Sequence, residues 1–311
     1  MSEKDLAQLK AEMEVRPEEL CAGLEDFIRS HVEKLRRDGT ILGLSGGVDS
    51  AVVAALCARA VGPEKTLALM MPEKDSKKQH VDDALRLAEQ LRIEARMIDM
   101  TPCLKELGVY KLLVLNKLPL TGRLRAALVR KAFGLYTSYT GKNPFTATQQ
   151  GYKGGIFRRT MQKGTAYYRA KHRLRMLLLY LNAEIENRLV VGAANKTESS
   201  VGFFVKHGCD DASDVMPLLK LYKTQVFQMA RHLGIPSGIV DKPPSPDILP
   251  GVLDEEAIGL PYAKLDLVLL ALEKGWDLRR TAAALDVDER TVEYVRDLTD
   301  GSAHMRATYA P

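Results

Sequence analysis

Thr40-Ile41-Leu42-Gly43-Leu44-Ser45-Gly46-Gly47-Val48-Asp49-Ser50-Ala51 is the stretch that decides how this chain folds. The run Thr40–Leu44 is short and apolar, the pattern of a buried strand, and Ala51–Ala60 is an Ala/Val/Leu-rich stretch of helical length. Small residues at a strand-to-helix turn let backbone N–H groups approach an anion, and the helix dipole favours negative charge there. Asp49 falls inside that anion site. Its carboxylate repels phosphate unless a cation bridges the two, which points to Mg²⁺. A plainer reading gives the glycines a packing role only, but Ser-Gly-Gly-x-Asp-Ser in this setting favours a nucleotide. The loop is not the Gly-x4-Gly-Lys-Ser/Thr type that holds a transferable γ-phosphate.

Working outward, residues 1–38 are charged and carry Leu6, Leu9 and Met13, then Leu24, Phe27, Ile28 and Leu35, at helical spacing. Thr66–Pro72 reads as a second strand, Lys77–Leu91 as an amphipathic helix and Ala95–Met100 as a third strand. Strand, helix, strand, helix, strand predicts a parallel sheet with crossover helices, hence a doubly wound α/β fold with helices on both faces. Ligands of such sheets bind at the carboxyl ends of strands, where Ser45–Ser50 falls. Periodicity then weakens, and residues 105–165 read as a long insertion, partly helical and partly mobile. From Tyr167 a strong helix leads into a fourth strand, Arg188–Ala193, followed by a helix over Lys223–Leu233 and a Pro-rich loop from Lys242 to Gly251. Two or three short helices form a tail over 262–311. The expectation is one domain, 1–311.

The formal charge of +5 is unevenly distributed. From Lys105 to Arg175 there are sixteen Lys and Arg against one acid, Glu106, a local excess of +15 that leaves −10 for the remainder. Such a block suggests an anionic partner, an RNA or a membrane surface included; the plain alternative is a solvated face. DNA is not expected, because the helix-turn-helix-like segment Thr281–Val292 is itself acidic. The four cysteines, Cys21, Cys57, Cys103 and Cys209, are scattered with no Cys-x-x-Cys pair, so their spacing suggests neither zinc nor an iron–sulfur cluster. No run approaches eighteen uncharged apolar residues, and the polar N-terminus has no signal-peptide pattern, so a cytoplasmic location is expected.

The glycine loop resembles the pyrophosphate loop of the N-type ATP pyrophosphatases, which grip the β,γ-pyrophosphate as a leaving group. Further on, Gly192-Ala193-Ala194-Asn195-Lys196-Thr197-Glu198 and Gly202-Phe203-Phe204-Val205-Lys206 make the chain similar to the NAD⁺ synthetases. Asp214–Leu218, Leu221–Val226, Lys242–Ser245, Asp254-Glu255, Ile258–Tyr262 and Ser302–Arg306 continue the match in order. The resemblance implies an adenine nucleotide alpha-hydrolase-like fold. It implies an AMP-forming ligase that amidates the nicotinate carboxylate of deamido-NAD⁺ with ATP and ammonia through an acyl-adenylate. It also implies a homodimer, with the substrate site built at the subunit interface.

Residue by residue, Gly43, Leu44, Ser45, Gly46, Gly47, Val48, Asp49 and Ser50 would cradle the ATP phosphates, with Ala193, Lys223 and Ser245 as further ATP contacts. Asp49 and Glu198 would hold Mg²⁺, and with Lys223 they form the expected catalytic set. Arg173, Lys206, Asp214, His304 and Met305 match substrate-binding positions. Four segments depart from the family pattern. Ala193 replaces a threonine, Tyr168-Arg169-Ala170 replaces Gly-Asn-Ile, Gly208-Cys209-Asp210-Asp211-Ala212 replaces the shorter Gly-Asp-Gly-Gly, and Met305 replaces a lysine. Three of the four lie in the acceptor half, so a different carboxylate, on a sugar or a lipid, is the alternative acceptor, and RNA modification a weaker one. The chain has no room for a glutaminase unit and opens Met1-Ser2 without a cysteine nucleophile, so free or separately supplied ammonia is the expected nitrogen source.

Overall fold

Four short strands form the sheet: β1 (Gly39–Gly43), β2 (Thr66–Met70), β3 (Glu94–Met97) and β4 (Arg188–Val190); β3, with Glu94 and Arg96, is the half-exposed edge and ends short of the expected Met100. The computed structural model describes residues 2–113, 122–140, 143–150, 155–244 and 253–308. All strand pairs are parallel, in the order β3-β2-β1-β4, with Ile41 opposite both Leu67 and Val190. Parallel strands need long crossovers, and the helices that supply them cover both faces. Successive strand residues therefore alternate between two cores. Leu42, Ala68, Met70 and Leu189 enter one; Ile41, Leu67, Leu69 and Val190 enter the other.

The helices preceding and crossing the sheet are α1 (Ser2–Met13), α2 (Pro17–Lys34), α3 (Val48–Val61), α4 (Lys78–Leu91) and α5 (Thr101–Glu106). The basic stretch contains α6 (Gly122–Thr140), α7 (Pro144–Gln150) and the first part of α8 (Gly155–Ile185). After β4 come α9 (Lys196–Val201), α10 (Lys223–His232) and α11 (Ser237–Val240). The chain closes with α12 (Asp254–Ile258), α13 (Tyr262–Glu273), α14 (Leu278–Leu285), α15 (Glu289–Gly301) and α16 (Ala303–Arg306). The first core takes α2, α3, α4, α10 and α11, and the second takes α5 and α8 through Leu104, Tyr167, Leu174 and Leu179. A third core, away from the sheet, joins Leu9 and Met13 of α1 to Leu265, Val268, Val292, Val295 and Leu298.

The doubly wound arrangement matches the pattern read from the sequence. Two further details differ. The long helix begins at Gly155, twelve residues before Tyr167, because Met161, Gly164 and Thr165 face a cavity shared with the sheet ends, and tertiary contact overrides the weak local signal. The described part of the tail from residue 262 holds four helices, α13 to α16, because α16 spans only 4 residues, too few to display a helical period. From β1 the chain runs outward through β2 to β3 and returns to place β4 on the other side of β1. That reversal opens a crevice at the carboxyl ends of β1 and β4.

Candidate active site

The loop leaving β1 is shaped by its own hydroxyls. Ser50 Oγ donates to the Gly47 carbonyl (3.0 Å) and accepts from the Ser45 amide (3.2 Å), while Ser45 Oγ accepts from the Gly47 amide (3.3 Å). Gly46 has φ +75°, and a Cβ there would lie 2.2 Å from the His80 carbonyl oxygen, so no larger residue fits. Gly47 caps α3 with extended backbone and no side-chain hydrogen bond. The first amides of this 14-residue helix therefore open onto the crevice, a ready anion site.

The loop leaving β4 meets this one through Asn195, which is fully buried. Its Oδ1 accepts from the Glu198 amide (2.9 Å), capping α9, and its Nδ2 donates to Asp49 Oδ1 (2.9 Å). One side chain thus aligns two carboxylates 149 positions apart in sequence. Lys223, only 2% exposed, donates from Nζ to Asp49 Oδ2 and to Glu198 Oε1 (3.2 Å). Its backbone is pinned as well: the Lys223 amide donates to Thr197 Oγ1 (2.9 Å), and the Thr224 amide donates to Asp266 Oδ2 (2.8 Å).

A third carboxylate, Asp254, completes the group. Tyr262 Oη donates to its Oδ2 (3.1 Å), but its Oδ1 is buried without a hydrogen-bond partner among the described residues. Burial raises both Glu198 and Asp254 above the ordinary carboxylate range, with Lys223 opposing and Asp49 adding to the shift. Burial works against the Lys223 charge too, but Asp49 and Glu198 outweigh it and keep the ammonium protonated. Three carboxylates around one ammonium leave an excess of negative charge. Hard oxygen donors with an unsatisfied lone pair suit a divalent cation such as Mg²⁺. A second cation, Lys242, reaches the loop from the opposite side, donating to the Gly46 carbonyl (2.7 Å) and to Asp83 Oδ2 (2.9 Å).

These groups line a cavity of about 690 Å³. Its floor is Gly43 through Ser50 with Ala193, Glu198, Lys223, Lys242 and Asp254. Its roof comes from the basic stretch and is largely apolar, with Val129, Leu135, Tyr136, Phe145, Met161 and Tyr168 facing inward. The structure therefore brings together the expected ATP residues. Ser245 lies outside the described residues. The expected acceptor residues lie outside this cavity. Arg173 is exposed and donates to the Lys206 carbonyl (3.2 Å), while Lys206 Nζ donates to the carbonyls of His304 (3.1 Å) and Ala307. Asp214 is held against β4 by the Val190 amide and Tyr180, and Met305 is buried under the tail.

The chain matches the family model described as NAD synthase over residues 20–129 and 142–308. The chain belongs to the NAD synthase family. A protein of Thermotoga maritima named NH(3)-dependent NAD(+) synthetase is 40% identical over 283 residues, covering 91% of this chain and 95% of its own length. Its counterpart of the same name in Methanocaldococcus jannaschii is 33% identical over 289 residues, with 93% and 94% covered. Among solved structures, an NMN synthetase from Francisella tularensis superposes with a TM-score of 0.69 at 28% identity, covering 96% of this chain and 99% of that one. An NH3-dependent NAD synthetase from Campylobacter jejuni, at 24% identity and a TM-score of 0.66, shares the fold. The NAD synthase match breaks only over 130–141, so most of the basic stretch lies within the matched length.

Sequence reasoning passed over three residues of this NAD synthase site. Asn195, Lys242 and Asp254 all stand in quoted motifs, and their roles emerge only when the segment after β4, Lys242 and α12 come together at the β1 loop. Arg175 is a fourth case: it lines the cavity while Arg173, two residues earlier, faces out. Two helical residues are about 200° apart around the axis, so one of the pair must point away.

Proposed function

We infer that this chain makes NAD⁺ from deamido-NAD⁺, ammonia and ATP, adenylating the nicotinate carboxylate, releasing pyrophosphate, and then exchanging AMP for ammonia. The observation that carries the reading is the meeting of the Ser45–Ser50 amides with Lys223 and three carboxylates at one end of the cavity. Amides and an ammonium aimed at the phosphates stabilise the negative charge that builds as pyrophosphate leaves. Asp49 and Glu198 would hold Mg²⁺, which supplies charge neutralisation on the phosphates when bound. Asn195 keeps both carboxylates oriented, and Lys242 holds the loop against α4. The apolar roof excludes water from an acyl-adenylate that water would otherwise hydrolyse. We place the reaction in the cytoplasm, the compartment that supplies ATP; no described helix is long and apolar enough to cross a membrane.

A homodimer is part of the same reading. On α8, Leu177, Leu181 and Ile185 recur every four residues and are 59%, 53% and 73% exposed, an apolar stripe continuous with Arg173 one turn earlier. A second copy packed there would bring Arg173, Lys206 and His304 under cover, which accounts for substrate positions lying outside the single-chain cavity.

A second acceptor is favoured by the likeness to a protein named an NMN synthetase: the mononucleotide form of the same nicotinate carboxylate. One experiment decides both questions. Purified chain, Mg-ATP and ammonium are incubated with deamido-NAD⁺ or with nicotinate mononucleotide, and AMP and amide product are read by mass. NAD⁺ with equimolar AMP is expected from the first. Product from the mononucleotide alone transfers the reading to that acceptor, and AMP from neither overturns it.

A further inference from the structure

One segment that departs from the NAD synthase pattern packs against the helix that carries another. His172 lies on α8, two residues after the altered Tyr168-Arg169-Ala170, and the altered glycine stretch brings Cys209 and Asp210. The Cys209 amide donates to the His172 carbonyl (3.2 Å), which fixes the loop to the helix. The side chains converge further: His172 Nδ1 lies 2.6 Å from Asp210 Oδ2 and 3.5 Å from Cys209 Sγ, and Cys209 Sγ lies 3.4 Å from Asp210 Oδ1. All three residues line the cavity, and Asp210 is near enough to Glu198 to add to the upward shift of its carboxyl. His172 is 7% exposed, and its Nε2 is buried with no hydrogen-bond partner among the described residues.

We propose that His172, Cys209 and Asp210 form a site for a thiophilic divalent cation, Zn²⁺ by preference, with its fourth position open to the cavity. The geometry supports this assignment. Zinc bonds of 2.0–2.3 Å in a tetrahedron give ligand–ligand edges of about 3.3–3.6 Å. The two contacts made by sulfur, 3.5 and 3.4 Å, fall on that edge length. The closer His172–Asp210 contact is a hydrogen bond that coordination would replace, and a short rotation of the Asp210 carboxylate, 34% exposed, is enough to do so. The donor set is nitrogen, sulfur and oxygen, so thiolate and imidazole select zinc or cobalt over the Mg²⁺ suited to all-oxygen ligands. Thiolate and carboxylate together balance the charge of a divalent ion. Burial, and then Asp210, push the Cys209 thiol well above its ordinary value with Arg175 opposing, so an incoming metal has to displace that proton.

Three protein ligands with an open position is the arrangement of zinc sites that bind a small molecule rather than of closed structural ones. Because all three residues line the cavity, the open position would be reached from it by a water, an ammonia or an oxygen of the acceptor. The assignment is independent of which acceptor the enzyme uses, since binding of the metal alone tests it.

The full chain, in saturating Mg²⁺ to occupy the carboxylate site, is exposed to low-micromolar Zn²⁺, desalted and assayed for bound metal by plasma mass spectrometry. One zinc per chain is expected to be retained. With Co²⁺ in its place, a near-ultraviolet thiolate-to-cobalt charge-transfer band is expected. Cys209→Ser and His172→Ala should each lose the retained metal and the band, whereas Cys103→Ser, which changes the exposed cysteine, should keep both. Circular dichroism establishes that each variant is folded, and if Cys209→Ser does not fold, the band in Cys103→Ser protein stands as the deciding measurement. Wild-type protein that retains no zinc and shows no band overturns the proposal. So does folded Cys209→Ser protein that still holds the metal.

Discussion

Among the described residues two lysines are buried, each between carboxylates and each against a tyrosine ring, and they do different things. Lys171, on α8, pairs with Glu73 at 2.7 Å and with Asp75 at 3.6 Å, its Nζ 4.1 Å from the Tyr167 ring centre. Its carboxylates are completed by hydroxyls: Tyr110 donates to Glu73 (2.7 Å) and Tyr167 to Asp75. None of these residues lines the cavity. Lys223 has Asp49, Glu198 and, farther off, Asp254, whose Oδ1 is left without a partner, and all four line the cavity. The first cluster is closed and fastens α8 to the loop after β2. The second is open, with more negative charge than its lysine can answer, and is built to admit further positive charge and a phosphate. A buried ion pair is therefore read by whether its valences are filled, more than by its burial.

Lys171→Met should lower the unfolding free energy by about 3–5 kcal/mol, the loss typical when one partner of a buried pair is removed. Urea denaturation measures it, and turnover by the folded fraction should hold. A variant of normal stability with lost turnover would place Lys171 in the chemistry and end the contrast. Lys223→Met removes a partner of a buried cluster too, but its folded fraction should also lose the chemistry: pyrophosphate release falls by about 10²–10³-fold, the scale of losing one preorganised donor to a developing anion. A rate within error of wild type would remove Lys223 from the transition state. Gly46→Ala should cost at least about 1–2 kcal/mol, because the left-handed backbone and the His80 carbonyl both resist a Cβ; the affinity for ATP, read by calorimetry, should fall with it.

The smallest effect is a pH dependence that only the open cluster should show. The Asp254 carboxyl is raised from 3.8 to about 6 by burial, against the pull of Lys223. A folded-state pKa above the unfolded one means that the folded protein holds this proton more tightly. The stabilisation is complete below pH 3.8 and is lost as pH rises through about 6. The melting temperature of the metal-free protein should fall across that window, Asp254→Asn should flatten the fall, and Mg²⁺ should raise melting most above it. A metal-free profile that rises through the same window, or no response to Mg²⁺, would contradict the charge excess assigned here.

The sheet and the β1 loop were legible because their determinants are contiguous. Leu42 and Ala54 need only their neighbours to be read as strand and helix, and Ser45–Ser50 carries its anion site within six residues. Asp254 was not legible as a site residue, since nothing local distinguishes it from the Glu255 that follows; burial beside a lysine 31 positions away does. The early start of α8 was hidden by Gly164 and the polar residues around it, whose helical state is set by what lies beneath them. His172 and Cys209 show the same limit. Metal-ligand reading depends on short spacing, and these two are 37 residues apart on different elements.

Helix α8 spans 31 residues. At 1.5 Å per residue it is a rod about 46 Å long. Met161 and Tyr168, near one end, form part of the cavity roof, and Leu177, Leu181 and Ile185 carry the exposed stripe toward the other. The Lys171 cluster lies between them, as a fulcrum does on a beam. A tilt of about 2° about Lys171, which is about 21 Å from Ile185, carries that end through about 0.7 Å. One continuous helix therefore carries both the cavity roof and the exposed stripe.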